Sequence, residues 1–154
     1  MSVLIVMGSK SDLPVGKKAK KILDEFNVKN KMIVASAHRT PHHLIETVEK
    51  SEADVFIAIA GLSAALPGAV ASHSTKPVIG VPVSGQVNLD SILSIVQMPP
   101  GIPVATVGLD RGDNAALLAI EILALSDEKL AKDLKKHRMK LQEWTLEDSK
   151  SLGG

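Results

Sequence analysis

The sequence predicts an α/β fold: a parallel sheet of five strands with helices on both of its faces. Short apolar runs, the first at 3–7, alternate along the chain with segments whose apolar residues recur at helical spacing. The runs show no regular alternation of apolar and polar residues, which is typical of parallel strands buried on both faces. Segments rich in Gly, Ser and His follow the runs, and the carboxyl ends of parallel strands are where such folds bind ligands.

The first half of the chain contains three predicted strands and two predicted helices. Asp12 is positioned to cap the first helix, and Thr40 to cap the second, whose first residue would be Pro41. We place the strands at 3–7, 31–35 and 54–60, and the apolar helix faces at Ala19, Ile22, Leu23 and Phe26 and at Leu44, Ile45 and Val48.

The second half continues the alternation and ends in an additional helix. Asp113 or Asn114 is expected to cap a fifth helix that ends at 125, and Ser126 to cap the last helix. Residues 149–154 have the composition of a frayed tail. We predict helices at 64–73, 89–97 and 126–144 and strands at 77–83 and 103–107. The whole chain, 1–154, is expected to form a single domain. Its core would be residues 1–125, and a helix at about 126–146 would serve oligomerisation.

Composition excludes several functional classes. The 154 residues include 18 Lys and Arg, 17 Asp and Glu and no Cys, and only 2% are aromatic. The balanced charge is unlike that of a nucleic-acid-binding protein, and the few aromatic residues exclude a base-stacking platform. The absence of Cys excludes disulfides, thiolate metal sites and cysteine nucleophiles, and it is compatible with a reducing compartment.

Two apolar segments have to be distinguished from membrane or export signals. Residues 55–72 carry no charge, but Gly61, Pro67 and Gly68 interrupt them and Ala predominates, which favours a buried strand and a buried helix. The run at 3–7 follows no basic segment and is too short for a signal peptide. We therefore expect a cytoplasmic protein that binds neither membranes nor nucleic acid.

The loop after the first strand places small and hydroxyl-bearing residues at the start of a helix. Backbone N–H groups at such a position, together with Gly8, Ser9 and Ser11, suit a phosphate or a sugar. Asp12 would repel a phosphate but would accept hydrogen bonds from a ribose. The alternative is ordinary helix capping by Ser and Asp. The loop matches neither the P-loop motif nor GxGxxG, the motifs of ATP hydrolysis and of dinucleotide-dependent redox chemistry.

The loop after the second strand contains His38 and Arg39 directly before a helix, with Ser36 and Ala37 beside them. Arg39 can hold a phosphate through paired hydrogen bonds. His38 is the best candidate for a general acid or base, because histidine titrates near neutral pH. The alternative is a histidine bonded to the neighbouring loop backbone. Surface or structural positions are expected for His42, His43, His73 and His137, and no spaced cluster of ligands predicts a metal.

The loop after the third strand is rich in Gly and Ala, and its candidate contacts are Gly61, Leu62, Ser63 and Leu66. Small residues permit close approach of a flat ligand, and a pocket lined by them would exclude water. The alternative is plain packing of a helix on a strand, which for Ala64 and Ala65 is an equally good interpretation.

Taken together, these loops resemble the PurE-type enzymes of purine biosynthesis. The resemblance implies a three-layer α/β/α fold of the flavodoxin or Rossmann-like type, a homo-octamer, and no metal or organic cofactor. It also implies that His38 is the acid/base residue and that Ser9, Asp12 and Arg39 contact the nucleotide. The matching segments are Met-Gly-Ser-Lys-Ser-Asp at 7–12, Ser-Ala-His-Arg-Thr-Pro at 36–41, Leu-Pro-Gly at 66–68, Pro-Val-Ile-Gly-Val-Pro-Val at 77–83 and Ser-Ile-Val-Gln-Met-Pro-Pro-Gly-Ile-Pro-Val-Ala-Thr at 94–106.

The resemblance includes two chemistries with one product, 4-carboxy-5-aminoimidazole ribonucleotide. One branch moves the carboxylate of N5-carboxyaminoimidazole ribonucleotide from nitrogen to C4, and the other carboxylates aminoimidazole ribonucleotide with CO2. The mutases resemble Ala-Gly-Gly-Ala-Ala-His-Leu-Pro-Gly where this chain has Ala-Gly-Leu-Ser-Ala-Ala-Leu-Pro-Gly at 60–68, with Ala65 in place of His. Ser63 and Ala65 follow the carboxylases, whereas Pro67 and Arg39 follow the mutases. We favour direct carboxylation and keep the mutase as the alternative.

Two further expectations concern function class and assembly. A nucleotide-binding sensor module is the non-enzyme alternative, and it would bind the nucleotide without turnover. The uncharged helix at 64–72 and a narrow apolar seam on the last helix predict a homo-oligomer, with the octamer implied by the resemblance. The seam consists of Leu130, Leu134, His137, Leu141 and Trp144.

Overall fold

The computed structural model describes residues 1–153. Strands and helices alternate as predicted. The strands are β1 (Ser2–Met7), β2 (Lys29–Val34), β3 (Val55–Ala60), β4 (Val78–Pro82) and β5 (Ala105–Thr106). The helices are α1 (Leu13–Glu25), α2 (Pro41–Glu49), α3 (Leu66–Ser72), α4 (Asn88–Val96), α5 (Gly112–Ala124) and α6 (Glu128–Ser151), and a short 3₁₀ helix covers Lys10–Asp12.

The five strands form one parallel sheet in the order β2-β1-β3-β4-β5. Helices cover both faces, so the predicted three-layer α/β/α fold is confirmed. Every residue of β3 and β4 is buried, in agreement with their continuous apolar sequences. Phe56 in β3 is the largest fully buried side chain. The central strands therefore form a rigid base for the loops at their carboxyl ends.

The chain divides into two compact units, Met1–Ala119 and Ile120–Gly154. The first unit contains the whole sheet. In the second unit, Arg138 Nη2 of α6 donates to Glu121 Oε1 at 2.8 Å, and Lys140 Nζ lies 4.9 Å from the centre of the Trp144 ring. The predicted single domain with its core at 1–125 stays a prediction. Within residues 1–153, no helix is both long enough and apolar enough to span a membrane.

Several predicted helix caps are wrong. Asp12 precedes α1 but makes no side-chain cap for it, because its carboxylate is bonded to the preceding turn. Thr40 precedes α2, yet its Oγ1 accepts from the backbone N–H of Ser36 instead. Asp127, and not Ser126, caps α6 by accepting from the N–H of Leu130 at 3.0 Å.

Other differences concern where elements begin and end. α5 begins at Gly112, so neither Asp113 nor Asn114 precedes it as a cap. α6 continues to Ser151, beyond the predicted end at 144 and into the predicted frayed tail. β5 has only two residues instead of the predicted 103–107, because only Ala105 and Thr106 pair with β4. Such ends depend on which backbone groups find partners, and hydropathy does not report that.

Candidate active site

The loops that follow β1, β2, β3 and β4 converge at one edge of the sheet. Backbone hydrogen bonds continue the sheet ladder into these loops. The N–H of Gly8 donates to Ile59 O at 3.1 Å, that of Ala35 to Met7 O at 2.9 Å, and that of Val83 to Ala60 O at 3.0 Å. The first residues of each loop are therefore held with the precision of the strands.

A cavity of about 630 Å³ opens between these loops. All twelve residues proposed from the sequence line it: Gly8, Ser9, Ser11, Asp12, Ser36, Ala37, His38, Arg39, Gly61, Leu62, Ser63 and Leu66. Parallel strands bring their carboxyl ends together, which is why residues far apart in sequence meet here. The convergence of these residues is a geometric finding, and the role of each one stays a prediction.

Six residues outside the candidate contacts chosen from the sequence also line the cavity: Ala60, Ala64, Ala65, Val83, Ser84 and Gly85. Ser84 and Gly85 lie in the loop after β4, which ends at Pro82, and that position was the available signal for them. The alanines gave none, because a buried Ala is equally common in plain packing. Ala64 belongs both to the core, where it is fully buried, and to the lining of the cavity.

The β1 loop is a reciprocal capping box. Ser9 Oγ accepts from the N–H of Ser11 at 3.3 Å, and Asp12 Oδ2 accepts from the N–H of Ser9 at 2.9 Å. Burial raises the pKa of Asp12 above its usual value, although hydrogen bonds from Ser9 and Ser11 and the charge of Arg39 oppose that shift. The capping alternative therefore holds for this loop, and the same residues line the cavity.

Arg39 connects two of the loops. Its Nη2 donates to Gly8 O at 2.8 Å, and its Nε donates to Ser36 Oγ at 3.3 Å. Within residues 1–153, Nη1 makes no hydrogen bond and is available to a ligand. The guanidinium plane is thus oriented by the protein before any anion binds.

His38 lies in a tight turn between β2 and α2. The turn is closed by the N–H of Thr40, which donates to Ser36 O at 3.0 Å, and by the N–H of Ser36, which donates to Thr40 Oγ1 at 2.9 Å. The imidazole is exposed and makes no hydrogen bond to the part of the chain that the structure describes. The alternative of a histidine bonded to the loop backbone is therefore not what the structure shows.

The loop after β3 forms an apolar wall of the cavity. Leu62 has a φ of 50° and is 81% exposed, an unusual conformation and exposure for a large apolar residue. Ser63 and Ala65 are also exposed, whereas Leu66 is buried at the start of α3. The predicted small residues therefore line the cavity, and the close approach of a flat ligand to their backbone stays a prediction.

The other histidines lie outside this cavity. His42 and His43 are exposed on α2, and His73 Nδ1 lies 3.3 Å from Glu49 Oε1, which connects α2 to the end of α3. Among residues 1–153, no group of three or more His, Cys, Asp or Glu side chains could hold a metal ion.

Comparison with known proteins identifies the family. A family model described as AIR carboxylase matches residues 2–144. The chain belongs to the AIR carboxylase family. An N5-carboxyaminoimidazole ribonucleotide mutase from Methanocaldococcus jannaschii is 62% identical over 141 residues, which are 91% of this chain and 90% of that protein.

Two further AIR carboxylase relatives extend the comparison. A phosphoribosylaminoimidazole carboxylase from Candida albicans is 44% identical over 96% of this chain, but the match covers only 27% of that protein. The crystal structure of Treponema denticola PurE has a TM-score of 0.89 at 32% identity and covers 97% of both chains. Both names in this family are names of enzymes, so the chain is an enzyme and the sensor alternative is not supported. The mutase, which we kept as the alternative, is better supported than direct carboxylation.

Proposed function

We propose that the chain is an N5-carboxyaminoimidazole ribonucleotide mutase of purine biosynthesis. The observation that carries the proposal is one juxtaposition: an unbonded imidazole, an oriented guanidinium and a buried carboxylate face a single cavity of about 630 Å³. A relative that shares 62% of its sequence with this chain has this name. The product would be 4-carboxy-5-aminoimidazole ribonucleotide.

The polar side of the cavity is suited to a ribose 5′-phosphate. Arg39 would hold the phosphate through Nη1, since Nε and Nη2 are already bonded to the protein. Ser9 and Ser11 would contribute hydroxyl groups beside it. Asp12 would accept hydrogen bonds from the ribose, because a buried carboxylate favours a ligand that donates hydrogen bonds, and ribose hydroxyls do so.

The proton balance of the isomerisation requires a single acid/base group. Loss of CO2 from N5 transfers one proton to that nitrogen, and addition of CO2 at C4 leaves a tetrahedral carbon. Removal of the C4 proton then restores aromaticity and returns the proton to the enzyme. His38 can donate the first proton and accept the second, because it lies at the cavity with its ring unbonded within residues 1–153.

The apolar wall would retain CO2 between these two steps. Gly61, Ala64 and Ala65 line the cavity with small side chains that allow a flat imidazole to approach the backbone. Ser63 is the one polar side chain of this loop that lines the cavity, and a largely apolar wall would disfavour water, so that CO2 would remain beside C4 instead of becoming hydrated.

Direct carboxylation is the second candidate, and Ala65 favours it. This residue stands where the mutase pattern has His, and the structure places it at the cavity. The fungal relative named as a carboxylase shows that both names occur among the relatives of this chain. This second reaction would consume CO2 and release a proton overall.

Two substrates separate these candidates in one assay. N5-carboxyaminoimidazole ribonucleotide is supplied without added bicarbonate, and aminoimidazole ribonucleotide is supplied with it. Rapid product formation from the first substrate supports the mutase. Turnover confined to the second would overturn that proposal in favour of the carboxylase, and turnover of neither would overturn both.

We also propose that the enzyme acts in the cytoplasm as a homo-oligomer, with an octamer as the size implied by the family resemblance. The uncharged helix at 64–72 does not support this as expected, because α3 is mostly buried within its own chain and Ser72 alone in it is exposed. One group of exposed apolar side chains lies at the start of α4 and along it: Val87, Leu89, Leu93 and Val96. A second group lies on α6: Met139, Leu141, Trp144 and Leu146. Such a surface is typical of an interface. Sedimentation at micromolar concentration tests this, and a stable 16.3 kDa monomer would contradict it.

A further inference from the structure

The loop that follows β4, residues 83–87, forms one wall of the cavity and is held by its own backbone groups. The N–H of Val83 donates to Ala60 O at 3.0 Å, and Val83 O accepts from Ser91 Oγ at 3.3 Å. The N–H of Gly85 donates to Asn88 Oδ1 at 2.9 Å. These partners lie in β3, which neighbours β4 in the sheet, or in α4, which follows the loop.

One anchor of this loop comes from a distant part of the chain. The N–H of Ser84 donates to Asp110 Oδ1 at 2.9 Å, across 26 residues of sequence. Asp110 is outside the cavity lining, whereas Ser84 and Gly85 are part of it. Asp110 therefore ties the loop to the segment after β5.

The backbone of Asp110 is itself held in place. Its N–H donates to Pro82 O at 2.9 Å, and its carbonyl oxygen accepts from Lys18 Nζ at 3.2 Å. Its φ is 57°, in the left-handed region, which Asp and Asn tolerate better than most residues. Because hydrogen bonds hold both the N–H and the carbonyl oxygen of Asp110, its backbone is fixed and its carboxylate is held in one direction.

We infer that Asp110 is a positioning residue that fixes the Ser84–Gly85 wall of the cavity. The hydroxyl of Ser84 makes no hydrogen bond within residues 1–153, and Ser84 lines the cavity. Because the backbone N–H of Ser84 already donates to the carboxylate of Asp110, the Ser84 hydroxyl is the group that remains for a ligand. The kinetic part of this inference rests on the proposed function, and the structural part does not.

Three variants separate the hydrogen bond from the backbone conformation. Asp110→Asn keeps an acceptor oxygen and tolerates a positive φ. Asp110→Gly removes the acceptor but relieves the backbone, so it should fold at least as well as the wild type. Asn27→Gly is the matched control, because Asn27 has a φ of 56° at the other end of the sheet, before β2, and does not line the cavity.

The first readout is amide hydrogen exchange of residues 83–88 in the ligand-free protein, which does not depend on any activity. We expect Asp110→Gly to lose protection there while Asp110→Asn and Asn27→Gly keep it. The second readout is the affinity for aminoimidazole ribonucleotide by calorimetry, together with kcat/KM for the carboxylated substrate. Asp110→Gly should lower kcat/KM by about tenfold or more, because small displacements in a site have large kinetic costs.

The outcomes are distinct. Unchanged hydrogen exchange and unchanged kcat/KM in Asp110→Gly would overturn the inference. It would also be overturned if Asp110→Asn lost as much protection and as much kcat/KM as Asp110→Gly, since Asn keeps the acceptor oxygen. A wild-type enzyme without turnover would overturn the proposed function alone, because the exchange and binding data would still decide the position of the loop. The inference is supported if Asp110→Gly loses both the protection of the loop amides and most of kcat/KM, while Asp110→Asn retains both.

Discussion

Arg39 Nη2 donates to the carbonyl oxygen of Gly8 at 2.8 Å, and this bond joins the loop after β2 to the loop after β1. The two residues are 31 positions apart in sequence. Gly8 in turn donates its N–H to Ile59 O in β3. The cation that would bind the substrate phosphate is therefore connected to three neighbouring strands, which fixes its position before binding.

Arg39→Lys is expected to weaken binding of the ribonucleotide far more than binding of the dephosphorylated nucleoside. Lysine cannot bond Gly8 and Ser36 and still present a planar group to a phosphate. Loss of one charge-assisted hydrogen bond corresponds to about tenfold to a hundredfold in affinity. Calorimetric titration with both ligands measures the difference, and an equal loss for both would place the phosphate elsewhere.

His38→Asn is expected to keep nucleotide binding and to lose most turnover. Asn has a similar polar character but cannot exchange a proton, and removal of a general acid/base costs about 10²–10⁴-fold in rate. His42→Asn is the control, because His42 is exposed on α2 and does not line the cavity. Wild-type turnover in the His38 variant would remove this residue from the mechanism.

Asp12→Asn is expected to raise the melting temperature at neutral pH. Burial raises the pKa of Asp12, so the folded state favours the protonated form, and stability falls as pH rises from the ordinary value of 3.8 through the raised one. The gain of the variant over the wild type should therefore shrink as the pH falls toward 3.8. Thermal unfolding across that range measures it, and a pH-independent difference would contradict the assignment.

Asp24→Asn supplies a control of opposite sign for that experiment. Hydrogen bonds from Asn30 and Lys20 lower the pKa of Asp24, so its contribution is present above 3.8 and is lost as the pH falls through the lowered value. This variant should be slightly less stable than the wild type at neutral pH, and the difference should vanish in acid. The effect is small because the carboxylate is exposed and screened by solvent.

Gly112→Ala is expected to destabilise the fold by about 1–3 kcal/mol. A Cβ at this position would overlap the backbone of α1 at Val15 O and approach Ala19 N to 3.2 Å, and backbone cannot move aside as a side chain can. Gly85→Ala is the matched control, since a Cβ there meets nothing within 4 Å. Chemical unfolding of both variants measures the difference, which we expect to be confined to Gly112.

Much of the fold and of the site could be predicted from the order of the residues. Val3–Met7 and the residues of β3 are apolar without interruption, and both segments are buried strands. The position of His38 and Arg39 in the loop after a strand indicated the cavity edge at which both lie. Helix caps were predicted less well, because Asp12 and Thr40 each had a choice of backbone partners that local sequence does not rank.

By itself, the sequence determined the parallel α/β sheet and the loops that face the cavity, since hydrophobic periodicity and the geometry of parallel strands require both. Tertiary structure alone decided which polar groups meet across those loops. The bond between Arg39 and Gly8, and the bond between Asp110 and Ser84, span 31 and 26 residues. Such pairs depend on the register of separate strands and on loop conformation, such as the positive φ of Asp110, and no local pattern encodes them.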